Sequence, residues 1–93
     1  MLFVRLLLWD DWNVVHIARH EVTPDEVEQV CHGNHAIREG YRSRVILLGP
    51  TQNERMLAVI LEPHEDDVYY PVTARPASRR ERAIYNRERE GEL

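Results

Sequence analysis

Ninety-three residues, 43% hydrophobic and 30% charged, make one small domain with a single core over residues 1–93, and no segment is apolar enough for long enough to span a bilayer. A net charge of −4 weighs against a general nucleic-acid coat protein, and the single Cys31 excludes an internal disulfide and lacks the neighbours of a zinc cluster. The charge is unevenly spread: all twelve basic residues are arginine, nine of them within Arg38–Arg44 and Arg75–Arg89, whereas acidic residues gather at Glu21–Glu28 and Glu62–Asp67.

The apolar start, Leu2 to Trp9, is interrupted by Arg5 and followed by no small-residue cleavage site. It reads as a strand and not as a signal peptide, which makes the cytoplasm the expected compartment. Asp10-Asp11 supplies a helix N-cap, and a short helix is expected from Trp12 to about Arg19. Val14, Val15 and Ala18 form its apolar side, with Ile17 beside them. Thr23-Pro24-Asp25-Glu26 starts a second helix: threonine as cap, proline at the first helical position, glutamate at the third. Val27, Val30 and Cys31 face the core at helical spacing, and Gly33-Asn34 ends the helix.

The period then changes. His35–Arg38 is a short strand, Tyr41–Gly49 a longer one, and Pro50–Glu54 a hairpin loop. Arg55–Leu61 returns as a central strand with Leu57, Val59 and Leu61 in the core. Val68–Ala74 is the last strand; Pro71 within it requires an edge position or a bulge. A closing helix runs from Ser78 to Arg89, capped by Ser78 with Glu81 three residues on, and Ala83, Ile84 and Tyr85 supply its apolar contacts. The order is β-α-α-β-β-β-β-α. Hairpin-length loops imply an α+β fold with an antiparallel sheet of four or five strands, two N-terminal helices and a C-terminal helix, the helices covering one face.

Alternation on the last strand points Tyr69, Thr73 and Arg75 one way, and on the Tyr41–Gly49 strand Arg42, Arg44, Ile46 and Leu48 share a face. Arginine grips phosphate through a planar fork and stays charged. If the two strands neighbour each other, Arg44 and Arg75 hold one phosphate between them; the plainer alternative is that each pairs with a carboxylate. Arg79 and Arg80 extend the basic surface into the closing helix. His20 is placed to move a proton at working pH, with a helix-end dipole contact as its alternative. His16 and His20 have the four-residue spacing of metal ligands, but nothing brings His32 or His35 to them, and no metal or other cofactor is expected. Trp9 and Trp12 read as core residues.

Together these residues resemble the BrnT-type toxins of type II toxin–antitoxin systems. The opening carries Trp9-Asp10, Asn13, Arg19-His20, Val22-Thr23 and an acidic second helix. The ending carries Val72-Thr73-Ala74-Arg75, then Arg79-Arg80-Glu81-Arg82 and Tyr85, and Arg44 to Gly49 fits between. The resemblance implies a fold similar to RelE-type ribonucleases and an RNA-cleaving hydrolase that blocks translation without a metal. It implies a cognate antitoxin of the ribbon-helix-helix type, operator DNA met only through that antitoxin, and no membrane partner. Carried over by position, His20, Arg44 and Arg75 are the expected catalytic residues. Arg19, Arg42, Arg79, Arg80 and Tyr69 are the expected RNA-binding ones. Glu21, Ser43 and Arg19 stand where the family often has glycine, glutamate and lysine. They leave open a catalytically weak, toxin-like binding module or co-repressor that acts through its antitoxin.

Overall fold

The computed structural model describes residues 1–91. Asp10 and Asn13 cap each other, side chain to backbone in both directions, and start helix α1, Asp11–Ala18. Thr23 and Glu26 do the same for α2, Pro24–His32. Ser78 and Glu81 repeat the motif for α3, Arg79–Gly91. The strands are β1 Leu6–Leu7, β2 Ala36–Glu39, β3 Val45–Pro50, β4 Met56–Pro63 and β5 Val68–Pro76.

The five strands form one sheet in the order β1-β5-β4-β3-β2. β2 to β5 are antiparallel neighbours, but β1 pairs with β5 in parallel, so the sheet is mixed. β1 is also far shorter than residues 2–9. The residues before it are held by other partners: Leu2 N–H donates to His35 Nε2, Arg5 N–H donates to Asp67 O, and Val4 O meets His32 Nε2.

Leu57, Val59 and Leu61 are fully buried, as a dense apolar strand second from neither edge should be. They pack with Leu47, Ala74, Ile17, Val27 and Val30 beneath α1 and α2. The helices do not share that face. Leu48, Ala58 and Ala36 point the other way, and Tyr85 of α3 covers them with Ile84 alongside. The cause is in the strands: Val45–Leu48 and Met56–Leu61 are apolar at every position, so both faces need cover. α3 packs on β2 and β3. Toward β4 and β5 this second face stays partly open, with Ile60 and Thr73 half-buried.

Three further local expectations change. α1 buries Asn13 and Ile17, while Val14, Val15 and Ala18 are exposed. Trp12 is 59% exposed and is not a core residue, whereas Trp9 packs on the core and donates to Glu28. Residues Tyr41–Ser43 form a 3-10 turn with Arg42 and Ser43 at φ 58° and 64°, so Arg42 does not lie on β3.

Pro71 sits beside a bulge. Ile60 pairs with Thr73, yet Leu61 pairs with Pro71, so one residue of β5 is extra there. The alternation of β5 therefore reverses across it. Tyr69 turns to the face of α1 and α2 and packs on their core, and Tyr70 takes the place expected for Tyr69, on the face of Thr73 and Arg75.

Candidate functional site

The open part of the second sheet face is the region where the basic side chains converge. Cross-strand pairing sets its rows. Leu48, Ala58 and Arg75 lie in one row; Arg38, Ile46, Ile60 and Thr73 lie in the next. Arg44, one residue ahead of Val45 with extended backbone (φ −75°, ψ 160°), continues β3 into a third row with Glu62 and Tyr70.

Arg44 and Arg75 thus share a face, but β4 lies between their strands. Their backbones are separated by about 13 Å along the strands and about 10 Å across them, so the two arginines are not cross-strand neighbours. Arg75 is also occupied. Its two terminal nitrogens donate to the two oxygens of Glu81 at 2.6 and 3.0 Å. Glu81 accepts from Ser78 N–H as well, so the helix cap and the ion pair share one carboxylate. The Arg75 guanidinium holds that carboxyl down at about 2, against the cost of its burial, and Glu81 in turn raises Arg75. For this arginine the carboxylate-pairing alternative is the one that formed. Arg38 is likewise bonded to Glu88 of α3.

Arg44 is different. Its side chain forms no ion pair among the described residues, and its Nε is buried without a partner. It borders a hollow shared with Arg38, Gly40 and Ser43. A second hollow, lined by Arg38, Ile46, Leu48, Arg75, Arg80 and Ile84 among others, adjoins it at Arg38. Arg79 and Arg80 are exposed at the start of α3, and Arg80 lies on this groove. Arg42 is exposed with its guanidinium 5.3 Å from the centre of the Tyr41 ring.

His20 and Arg19 are not on this face. They follow α1, which packs on the opposite side of the sheet. Arg55 pins that corner by donating to His20 O, Glu21 O and the Glu26 carboxylate. The structure therefore brings Arg44, Arg75 and Arg80 to one face and leaves His20, Arg19 and Tyr69 on the other side.

The sequence reading missed Glu62 and Tyr70. Both fall in the Arg44 row once the bulge is counted. The Tyr70 hydroxyl donates to Asp10 at 3.0 and 3.1 Å. Burial, the Asp10 contact and the Glu62 charge all raise its pKa, so it stays a neutral donor. The only signal for this row in the sequence was Pro71, which announces a bulge without saying on which side of it the register shifts.

The histidines and Cys31 carry no second site. His32 and His35 are engaged by backbone groups near α2, away from His16 and His20. Burial pushes the Cys31 thiol up to about 12, with Glu28 adding to it, which removes it as a nucleophile. Among the described residues no group of three or more His, Cys, Asp or Glu could hold a metal ion, and no helix is long and apolar enough to cross a membrane. The chain matches no family model, no curated protein and no solved structure.

The Arg75–Glu81 pair has a pH signature. The carboxyl titrates at about 2 when folded against 4.5 as its ordinary value. Between those values the unfolded chain binds the proton and the folded one does not. The pair's contribution is therefore complete above pH 4.5 and fades as pH falls toward 2. Glu81→Gln keeps an acceptor for the cap but removes the charge. The wild type is expected to be the more stable protein near pH 7, with the difference shrinking steadily in acid melts below pH 4. Parallel melting curves for the two proteins at all pH values would show that the pair contributes nothing; Arg75 is 40% exposed, which limits its size.

Proposed function

We propose that this chain is the toxin-like member of a type II toxin–antitoxin pair, built on a RelE-like fold. In this reading it takes single-stranded RNA across the half-open sheet face and is neutralised by an antitoxin of the ribbon-helix-helix type that covers the same face. Arg44 is the observation that carries the reading. A guanidinium beside an open hollow, with no carboxylate within ion-pair distance among the described residues and with one buried nitrogen unpaired, is a ready phosphate contact. Arg80 lies along the same groove, and Ile46 and Ile60 give it apolar floor. The fold name rests on the resemblance and on the shared plan of two N-terminal helices, a sheet and a closing helix, which is analogy.

Binding and masking is the form of this function that the geometry supports best. Arg75 has its fork filled by Glu81, and His20 lies on the other side of the sheet. The expected result is that Arg44→Ala weakens binding of a fluorescent single-stranded RNA about tenfold, equivalent to about 1.4 kcal/mol, and flattens its salt dependence. Antitoxin and RNA should displace each other. Unchanged RNA affinity in Arg44→Ala, or simultaneous binding of both partners, would sink this reading.

One observation favours a cleaving toxin as the second reading: the row Arg44, Glu62, Tyr70. There the Glu62 carboxylate would take the proton of a 2′-hydroxyl, whose oxygen attacks the adjacent phosphorus while Arg44 holds the phosphate charge; the P–O5′ bond breaks, the 5′-oxygen leaves with a proton from water, and a 2′,3′-cyclic phosphate remains. RNA incubated with the protein in chelator decides it. Cleavage that survives chelator and is lost in Glu62→Gln establishes the enzyme; intact RNA leaves the binding module.

A further inference from the structure

We infer that α1 carries a self-complementary face through which two copies of this chain pair, antiparallel, about Val15. Asn13 and Ile17 point into the protein and are fully buried. At 3.6 residues per turn the opposite side of the helix is centred on Val15. Asp11 and Arg19 lie four residues to either side of it, and Trp12 and Ala18 three residues to either side. All five are exposed, with Trp12 at 59% and Val15 at 58%. Asp11, Trp12, Val15, His16 and Arg19 line a shallow, largely apolar hollow. The Trp12 ring is held in place by stacking on His16, with centroids 4.7 Å apart and planes 8° from parallel.

The order of residue types along this stripe selects the occupant. A twofold axis at Val15 sets Asp11 against Arg19 of the partner subunit, and the reverse contact repeats on the other side. It lays the large Trp12 ring over the small Ala18 of the partner subunit, and Val15 over its own counterpart. Neither Asp11 nor Arg19 has an ion-pair partner within its own chain among the described residues. An acidic foreign helix would meet Asp11 and a basic one would meet Arg19; a second copy of this chain satisfies both ends at once. Eight helical residues span only about 12 Å, so the contact is smaller than a standard interface and the dimer is weak. The α3 face lies on the other side of each sheet and stays free.

The test is sedimentation velocity on the full chain from about 10 to 500 µM, a range that brackets weak association. The wild type should shift toward dimer with concentration, less so in high salt. Val15→Glu should stay monomeric. Asp11→Arg and Arg19→Asp should each stay monomeric alone, yet associate when mixed, because each then supplies the charge the other lacks. Far-UV circular dichroism checks that every variant is folded; the substituted positions are exposed, so native spectra are expected. A wild type that remains monomeric throughout would overturn the proposal, as would association in the single charge-reversed proteins or none in their mixture. Loss of antitoxin binding in Val15→Glu beside a monomeric wild type would assign the face to the antitoxin, and the proposal would fall.

Discussion

Asn13→Ala should destabilise the protein by about 3 kcal/mol, because a buried carbonyl, a part-buried one and a helix cap lose their partner together. Asn13 is fully buried. Its Nδ2 donates to Leu8 O at 2.9 Å and to Pro71 O at 3.1 Å, and its Oδ1 accepts from Asp10 N–H at 2.9 Å. One amide thus joins the end of the first segment, the start of α1 and the bulge of β5. Pro71 lies where β5 shifts register, so few ladder bonds are present to hold its carbonyl in place. Alanine removes both donors and leaves the acceptors facing protein. Asn13→Asp should be at least as harmful: it keeps the cap acceptor but points a charge at two carbonyls. Urea denaturation measures the loss as a lower midpoint at unchanged slope. A loss below about 1 kcal/mol would mean that water reaches those carbonyls and that the amide is not the joint.

Gly49→Ala should cost about 2–3 kcal/mol, seen as a fall of roughly 10 °C or more in melting temperature. Gly49 has an ordinary backbone conformation, so freedom of φ is not its role. Space is. A Cβ there would stand 2.5 Å from Asn34 O, 3.1 Å from the His35 Cβ and 3.2 Å from the His35 Cα. The obstacle at 2.5 Å is backbone and cannot rotate away. β3 would have to part from the segment that leads into β2, on its other side being locked to Leu57 of β4. His35 would move with it, and its bonds to Leu2 N–H and Val30 O hold the N-terminal segment to α2. Gly49→Ser should behave like alanine, since the clash is with the β-carbon. A melting temperature within a few degrees of wild type would show that the Asn34 turn yields easily.

The two predictions rest on contacts of different range, and that difference also separates what could be read from the chain from what could not. The helix starts at Thr23-Pro24 and Ser78 were legible because a capping box closes within three residues. The core positions Leu57, Val59 and Leu61 were legible because an apolar run forces burial whatever surrounds it. The element order followed from such local signals alone, and so did the sense of every hairpin.

Side-chain direction past Pro71 was not legible. A single extra residue in β5 exchanged Tyr69 for Tyr70, and the partner that sets this register, β4, lies across a loop. The parallel pairing of β1 depends on Val68 and Tyr69, some sixty positions away, and no turn signals it. The strand pattern says nothing about which strand lies between Arg75 and Arg44, nor about which carboxylate meets Arg75. β4 fills that place, and the cap residue of the next helix, Glu81, takes the guanidinium. The outward face of α1 was misread for the same reason: in Asp11–Ala18 the apolar residues outnumber the buried positions, and hydropathy cannot tell which of them the sheet will cover. The chain by itself therefore determined the elements, their caps and the central strand, through interactions that close within a few residues. Only the tertiary structure decided which side chains meet on the open face, because strand order and one bulge set that by contacts between residues far apart in the chain.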